Sequence, residues 1–190
     1  MTHSASLLQL TVLCLALALP LRAAEPEKAS AARPLTTATF YITDVKCAAC
    51  VSFLENSIRS VPGVQKIDGL TETSGYARVS FDPKKADHHQ IARAVSDTLQ
   101  LHGEPFNASL KLLVPDYAKA ANAAKIDALF AQQKDFITVE CRNRTKGLFL
   151  IRFQPQPQAS SKSSSPAWKP EQLLAAVKAL GLSARFMEEK

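Results

Sequence analysis

The chain has 190 residues, of which 46% are hydrophobic, and its formal net charge is +6 at pH 7. This is enough apolar material for an ordinary core, and the length suits one domain or two small ones. The basic excess is spread along the chain without a basic run interleaved with aromatics, which argues against nucleic acid as a partner, and four cysteines are too few for a disulfide scaffold.

The first residues predict an export signal. The apolar run Leu7–Leu19 is too short to span a bilayer comfortably, which takes about 20 residues, and small residues follow it. We therefore expect a signal peptide at 1–23, a linker at 24–36, and a periplasmic or otherwise secreted protein with no stable membrane insertion after cleavage. An uncleaved anchor is the alternative, because no Lys or Arg precedes the run. Cys14 leaves with the leader.

The next part of the chain predicts a unit of four strands and two helices. Residues 37–43 alternate as in a half-buried strand, a helical apolar stripe follows, and Pro62-Gly63 ends the helix. Asp87 is a predicted N-cap for the second helix. The elements, in order, are strand 37–43, helix 48–60, strand 64–70, strand 76–81, the helix after Asp87, and strand 106–112.

A second copy of this unit follows at an offset of 72 residues, at which 79–83 (VSFDP) aligns with 151–155 (IRFQP). Its elements are strand 110–114, helix 118–132, strands 136–141 and 148–153, helix 170–180, and strand 183–187. We predict an α+β fold of two tandem ferredoxin-like βαββαβ units, 37–112 and 110–190, the second degenerate. A Ser/Pro/Gln-rich insertion occupies 154–167. Either the units share the strand near Leu110, or one of them lacks an edge strand.

The stretch DVKCAAC places two cysteines at the start of the first helix. Cys47 lies in the loop after the first strand, and Cys50 opens the helix, where the helix dipole and free N–H groups lower a thiol pKa. Lys46 adds a positive charge that would offset a bis-thiolate. Two thiolates suit Cu(I), Hg(II) or Zn(II). A disulfide and a redox couple are the alternative interpretations.

Residues 44–69 (DVKCAACVSFLENSIRSVPGVQKIDG) and 77–95 (ARVSFDPKKADHHQIARAV) resemble the heavy-metal-associated domain family, which includes copper chaperones and periplasmic mercury-binding proteins. The resemblance covers about 37–111, with Val45 where the family motif has methionine. It implies a protein that is not an enzyme and that carries a soft ion, Cu(I) first and Hg(II) or Zn(II) as alternatives, on Cys47 and Cys50. It also implies a metal-transporting membrane protein or another thiol-bearing metal carrier as partner.

The predicted topology sorts the remaining candidate ligands. His102 reaches the loop beside the cysteines, where it is either a third ligand, a neighbour of the ligands or a plain surface histidine. His88 and His89 start the second helix at the remote end, and we expect them to be solvated. Cys141 is expected to be a lone buried thiol, with an intermolecular or regulatory thiol, or an additional ligand, as alternatives.

The second unit has no cysteine pair, because Lys119 and Asn122 occupy the corresponding positions.

The Cys47–Cys50 pair leaves three possible functions: a metal carrier, an interaction domain with a Cys47–Cys50 disulfide, and a thiol–disulfide oxidoreductase. The last is disfavoured because no aromatic residue precedes Cys47 and neither intervening residue is Gly or Pro. Val51, rather than His, follows the pair, which excludes a c-type haem site.

Overall fold

The computed structural model describes residues 34–155 and 168–189. The predicted signal peptide, most of the linker and most of the Ser/Pro/Gln-rich insertion lie outside these residues. Among the described residues, no helix combines the length and the apolar character that a membrane span requires.

The described chain folds as β1-α1-β2-β3-α2-β4, followed by α3-β5-β6-α4-β7. The strands are β1 (Thr36–Ile42), β2 (Val64–Asp68), β3 (Tyr76–Phe81), β4 (Ala108–Leu113), β5 (Ile137–Asn143), β6 (Leu148–Phe153) and β7 (Arg185–Phe186). The helices are α1 (Ala48–Arg59), α2 (His88–Ser96), α3 (Ala120–Ala131) and α4 (Pro170–Ala179). A short 3-10 turn at Pro115–Ala118 precedes α3.

All seven strands form one antiparallel sheet in the order β2-β3-β1-β4-β6-β5, with β7 also paired to β4. The first four strands, in the order β2-β3-β1-β4, have the arrangement of a ferredoxin-like unit. The strands of the second unit repeat this arrangement in the order β5-β6-β4-β7. The predicted α+β ferredoxin-like arrangement is confirmed.

The two units share β4, which answers the question that the sequence left open. One edge of β4 pairs with β6. The other edge is divided: Ala108 and Ser109 pair with the end of β1, and Leu112 and Leu113 pair with β7. Because β1 already occupies half of this edge, β7 is two residues long instead of the predicted 183–187.

Both units contribute to one hydrophobic core. Every second residue of β3, from Ala77 to Phe81, is buried, and Phe40 and Leu112 are buried in the same cluster. The predicted stripe of α1 joins it through Leu54 and Ile58, both fully buried. Since full burial of such a side chain is worth about 1.5–3 kcal/mol, the packing of α1 holds the cysteine-bearing helix start against the sheet.

Candidate metal site

The first turn of α1 positions the two cysteines. Cys47 is the N-cap, with extended φ and ψ of −158° and 159°, and its Sγ accepts a hydrogen bond from the Cys50 N–H at 3.1 Å. Cys50 is the third helical residue, and its side chain is buried, whereas Cys47 is half-buried. A sulfur therefore takes the place of the Ser, Thr, Asp or Asn oxygen that usually satisfies a free N–H at a helix start.

The two thiols interact, and the interaction shifts their pKa values in opposite directions. The hydrogen bond with the Cys47 thiol lowers the pKa of Cys50, and N–H groups of the loop and first turn act in the same direction. That hydrogen bond raises the pKa of Cys47, which gives up a donor when it ionises. The prediction that the helix start lowers a thiol pKa thus holds for Cys50, while Cys47 retains its proton to higher pH.

His102 lies beside the pair, in the loop between α2 and β4. The two Sγ atoms and a ring nitrogen of His102 all lie within 4.8 Å of one another. The imidazole is exposed, and Cys50 is buried, so the three donors extend from the core to the surface. They are the only group of three potential ligands within the residues that the structure describes.

The loop before Cys47 has its own internal contacts. Asp44 adopts a positive φ of 66°, a conformation in which Asp is one of the few tolerated residues. Its carboxylate lies 3.1 Å from the Lys46 Nζ, so the positive charge predicted to offset a bis-thiolate is shared with an anion of the same loop. Val45 is half-buried and packs against the core beneath the loop.

The corresponding turn of the second unit differs in backbone conformation and in chemistry: Lys119 has a φ of −72° and a ψ of 121°, and a 3-10 turn precedes it. Lys119 is the N-cap of α3, as Cys47 is of α1, and its Nζ lies 2.9 Å from an Asp116 carboxylate oxygen. The Asn122 amide donates to the backbone oxygen of Asp116 at 3.0 Å. No sulfur is present in this turn, so it lacks the soft donors of the first unit.

The prediction of a solvated His88 is wrong. Its side chain packs among Phe40, Phe81 and Phe153 with 6% of its surface exposed, and burial lowers its pKa to about 4. His89 is half-buried, and its Nε2 lies 2.9 Å from the Phe136 backbone oxygen. The helical spacing from His88 to the buried Ile91 and Val95 is the sequence signal of this inward position.

The expectation of a buried Cys141 is also wrong. Cys141 is exposed near the end of β5, an edge strand of the sheet, where no further strand within the described residues covers it. Three exposed hydrophobic side chains escaped the sequence reasoning as well. Phe53 on α1, and Leu99 and Leu101 in the loop of His102, are large exposed hydrophobic residues.

Most of the first unit matches a known family model. Residues 39–99 match the family model described as "Heavy-metal-associated domain", which confirms the resemblance for this segment. No curated protein gives a significant match to the chain.

Solved structures with a similar fold include oxidized MerP from Ralstonia metallidurans CH34, which is 28% identical. That alignment covers 40% of this chain and 97% of MerP, with a TM-score of 0.34. The N-terminal soluble domains of Bacillus subtilis CopA are 15% identical over 83% of this chain and 97% of that one, with a TM-score of 0.37. The water-soluble region of the P-type ATPase CopA from Bacillus subtilis is 14% identical over 83% and 98%, also with a TM-score of 0.37.

Proposed function

We propose that this protein binds a soft, thiophilic metal ion on Cys47 and Cys50 and transfers it to a partner. The observation that carries the proposal is the convergence of two sulfur atoms and an imidazole nitrogen within 4.8 Å of one another at a helix start. Two metal–sulfur bonds of about 2.3 Å placed in line reach about 4.6 Å, so one ion can bridge sulfur atoms that lie no more than about that far apart, and the 4.8 Å limit here is close to this reach.

The geometry favours exchange over permanent retention. Cys50 has the lower pKa and is buried, and it supplies the first thiolate. Cys47 is nearer the surface and is the ligand that a partner's thiolate displaces first. His102, exposed beside the pair, can donate to the ion during this exchange and keep it from being released as a free cation.

Cu(I) is the proposed ion, with Hg(II) as its competitor. Both accept two thiolates in line, whereas structural Zn(II) takes four ligands in a tetrahedron, and only three potential donors converge within the described residues. The role is binding and transfer, with no chemical transformation of a substrate.

The receiving partner is a metal-transporting membrane protein or another thiol-bearing metal carrier. Transfer brings a partner's sulfur to the ion, so the surface around the cysteines is covered in the transfer complex. Phe53, Leu99 and Leu101 supply an apolar rim for that contact. We place the protein in the periplasm, or outside the cell, on the strength of the predicted leader.

Binding of Cu(I) and of Hg(II) tests the proposal. Reduced protein from residue 24 onward is titrated anaerobically in competition with a chromophoric chelator, beside Cys47→Ser/Cys50→Ser and a matched control, Cys141→Ser. We expect one tight equivalent in the wild type and the control, and loss of that equivalent in the double variant. His102→Ala should keep the equivalent and release it faster to an added dithiol. No site-specific binding by the reduced wild type would refute the carrier function and favour a disulfide-bearing interaction domain.

A further inference from the structure

We propose that a short extended peptide segment of a partner protein, with an apolar side chain next to a basic one, binds in a cleft between β1 and β7. The register that sets Tyr41 opposite Ser109 would set Ala38 opposite Leu112, but Phe186 of β7 pairs with Leu112 instead. The start of β1 is therefore separated from β4, and a cleft of about 320 Å³ lies between it and β7. This inference does not depend on a metal ion.

On one side the cleft is bordered by an unpaired edge of β1. The Ile42 N–H donates to the Gly75 oxygen at 2.9 Å, so Ile42 and every second residue before it direct their backbone groups to β3. Thr37 and Thr39 direct their N–H and C=O groups to the opposite side, where no strand of the described residues pairs with them. Such an edge is a template for a further strand.

The second side of the cleft is formed by β7 and the residues after it. The Met187 N–H donates to the Lys111 oxygen at 2.8 Å, so Met187 faces β4. Phe186 and Glu188 then direct their backbone groups away from β4, and both residues line the cleft. Because β1 and β7 both run antiparallel to β4, they run in the same direction, and one inserted strand can form an antiparallel ladder with either edge.

A buried hydroxyl group adds a polar contact to the cleft. Thr39 lines the cleft with 4% of its surface exposed, and its Oγ1 has no hydrogen-bond partner within the described residues. A buried polar group without a partner is costly, so a ligand that forms a hydrogen bond with it gains affinity. The backbone of an extended peptide offers N–H and C=O groups in alternation, both to the edge of β1 and to this hydroxyl.

The uncharged lining predicts an apolar side chain in the segment. Leu110 is buried in the hydrophobic core, and Leu174 packs against that core. His88 lines the same cleft and is uncharged at neutral pH, since burial lowers its pKa to about 4. Ligand sites of this kind combine a mostly apolar lining with a few polar groups, and they begin at about 300 Å³.

The charged lining predicts a basic residue beside the apolar one. Among the described residues that line the cleft, Glu171 and Glu188 are negative and Arg185 is positive, which leaves an excess of one negative charge. Glu171 and Glu188 are both exposed, so a cationic side chain can reach them from solvent. Electrostatic complementarity therefore favours Lys or Arg in the bound segment.

The cleft and the metal site lie at opposite ends of β1. The cleft begins at Thr36, and Cys47 follows Ile42, the last residue of the strand. At about 3.3 Å per residue, the strand separates the two sites by about 20 Å. The protein can therefore hold the peptide and a metal ion at the same time.

Amide hydrogen exchange tests whether the edge of β1 is free. The chain from residue 24 onward is studied by NMR, reduced and without metal. The exposed Thr37 should exchange its amide hydrogen at least about tenfold faster than Ala38, which pairs with Val79 of β3. Protection of Thr37 in dilute solution would mean that the chain covers this edge itself. Protection that appears only as the concentration rises would mean that a second copy covers it. Either result would overturn the proposal.

A phage-displayed library of random heptapeptides supplies the probe. After depletion on an unrelated protein, selection on the wild type should enrich peptides with an apolar residue beside Lys or Arg. Synthetic copies of these peptides should shift the amide signals of Thr37, Thr39, Phe186 and Glu188 and should slow the exchange at Thr37. The absence of enriched peptides, or binding that leaves these four signals unchanged, would contradict the proposal.

Two pairs of variants assign the binding to the cleft. Thr37→Pro removes the N–H that faces the cleft and leaves the ladder with β3 intact, so the peptide's dissociation constant should rise at least about tenfold. Thr37→Ala keeps the N–H and should bind as the wild type does. Glu171→Lys/Glu188→Lys should also weaken binding, whereas Glu72→Lys, at an exposed position before β3, should not.

The comparison remains decisive if Thr37→Pro fails to fold, because the charge variants change only exposed side chains. Circular dichroism shows which variants are folded. Equal affinity of the peptides for the wild type, for a folded Thr37→Pro and for Glu171→Lys/Glu188→Lys would refute binding in the cleft.

Discussion

Acidification should destabilise this protein through His88, a residue far from the proposed metal ligands in the chain. His88 is 6% exposed among phenylalanine rings, and its pKa in the folded protein is about 4, against about 6.5 for an accessible histidine. Between these two values the unfolded chain binds a proton that the folded protein does not. Stability is therefore complete above about pH 6.5 and is lost as the pH falls toward 4.

The expected loss follows from the two pKa values. A tenfold difference in proton affinity is worth about 1.4 kcal/mol, so His88 should contribute a loss of about 3 kcal/mol between pH 7 and pH 4. Asp87, Glu171 and His89 act on His88 electrostatically, and the two carboxylates partly offset the effect of burial. A change of this size is large beside a typical total stability of about 5–15 kcal/mol.

Urea unfolding of the wild type and of His88→Leu at pH 7 and pH 4 measures this effect. Trp168, the only tryptophan and 3% exposed, reports the transition by its fluorescence. The free energy of unfolding should fall by about 3 kcal/mol more in the wild type than in His88→Leu, since every other titrating group is common to both. An identical pH dependence in wild type and His88→Leu would refute the assignment.

Three further predictions follow from the site and the turns. Gly181→Ala, at a positive φ with open space around it, should lower the free energy of unfolding in urea by about 1–2 kcal/mol. Gly147→Ala should lower it by clearly more than that, because its φ is 65° and the added Cβ would also clash with the Val114 backbone oxygen. Cys47→Ala should raise the pKa of Cys50, because the hydrogen bond with Cys47 is the largest influence that lowers this pKa. The pKa is measured by thiolate absorbance at about 240 nm, and an unchanged titration of Cys50 would contradict this cause. Cu(I) at about a thousandfold excess over its dissociation constant should stabilise the reduced protein by about 4 kcal/mol in thermal unfolding, and Cys47→Ser/Cys50→Ser should gain nothing.

Local elements were largely predictable because their signals lie within a few residues. The apolar spacing of Val51, Leu54 and Ile58 predicts α1, and Pro62-Gly63 predicts its end. Asp87 is the N-cap of α2 as predicted, with a capping box completed by Gln90. The match of two units at a fixed offset also predicted the repeated strand order.

The sequence by itself therefore determined the elements, the fold class and the cysteine pair at a helix start. Only the tertiary structure decided that β4 serves both units, that His102 approaches the cysteines to within 4.8 Å, that His88 is buried and that Cys141 is exposed. The reason is physical. The hydrogen-bonding edge of a strand carries the same N–H and C=O groups whatever its side chains are. The choice of the strand that pairs with this edge therefore depends on packing between segments that are distant in the chain. That choice also decides which residues are covered.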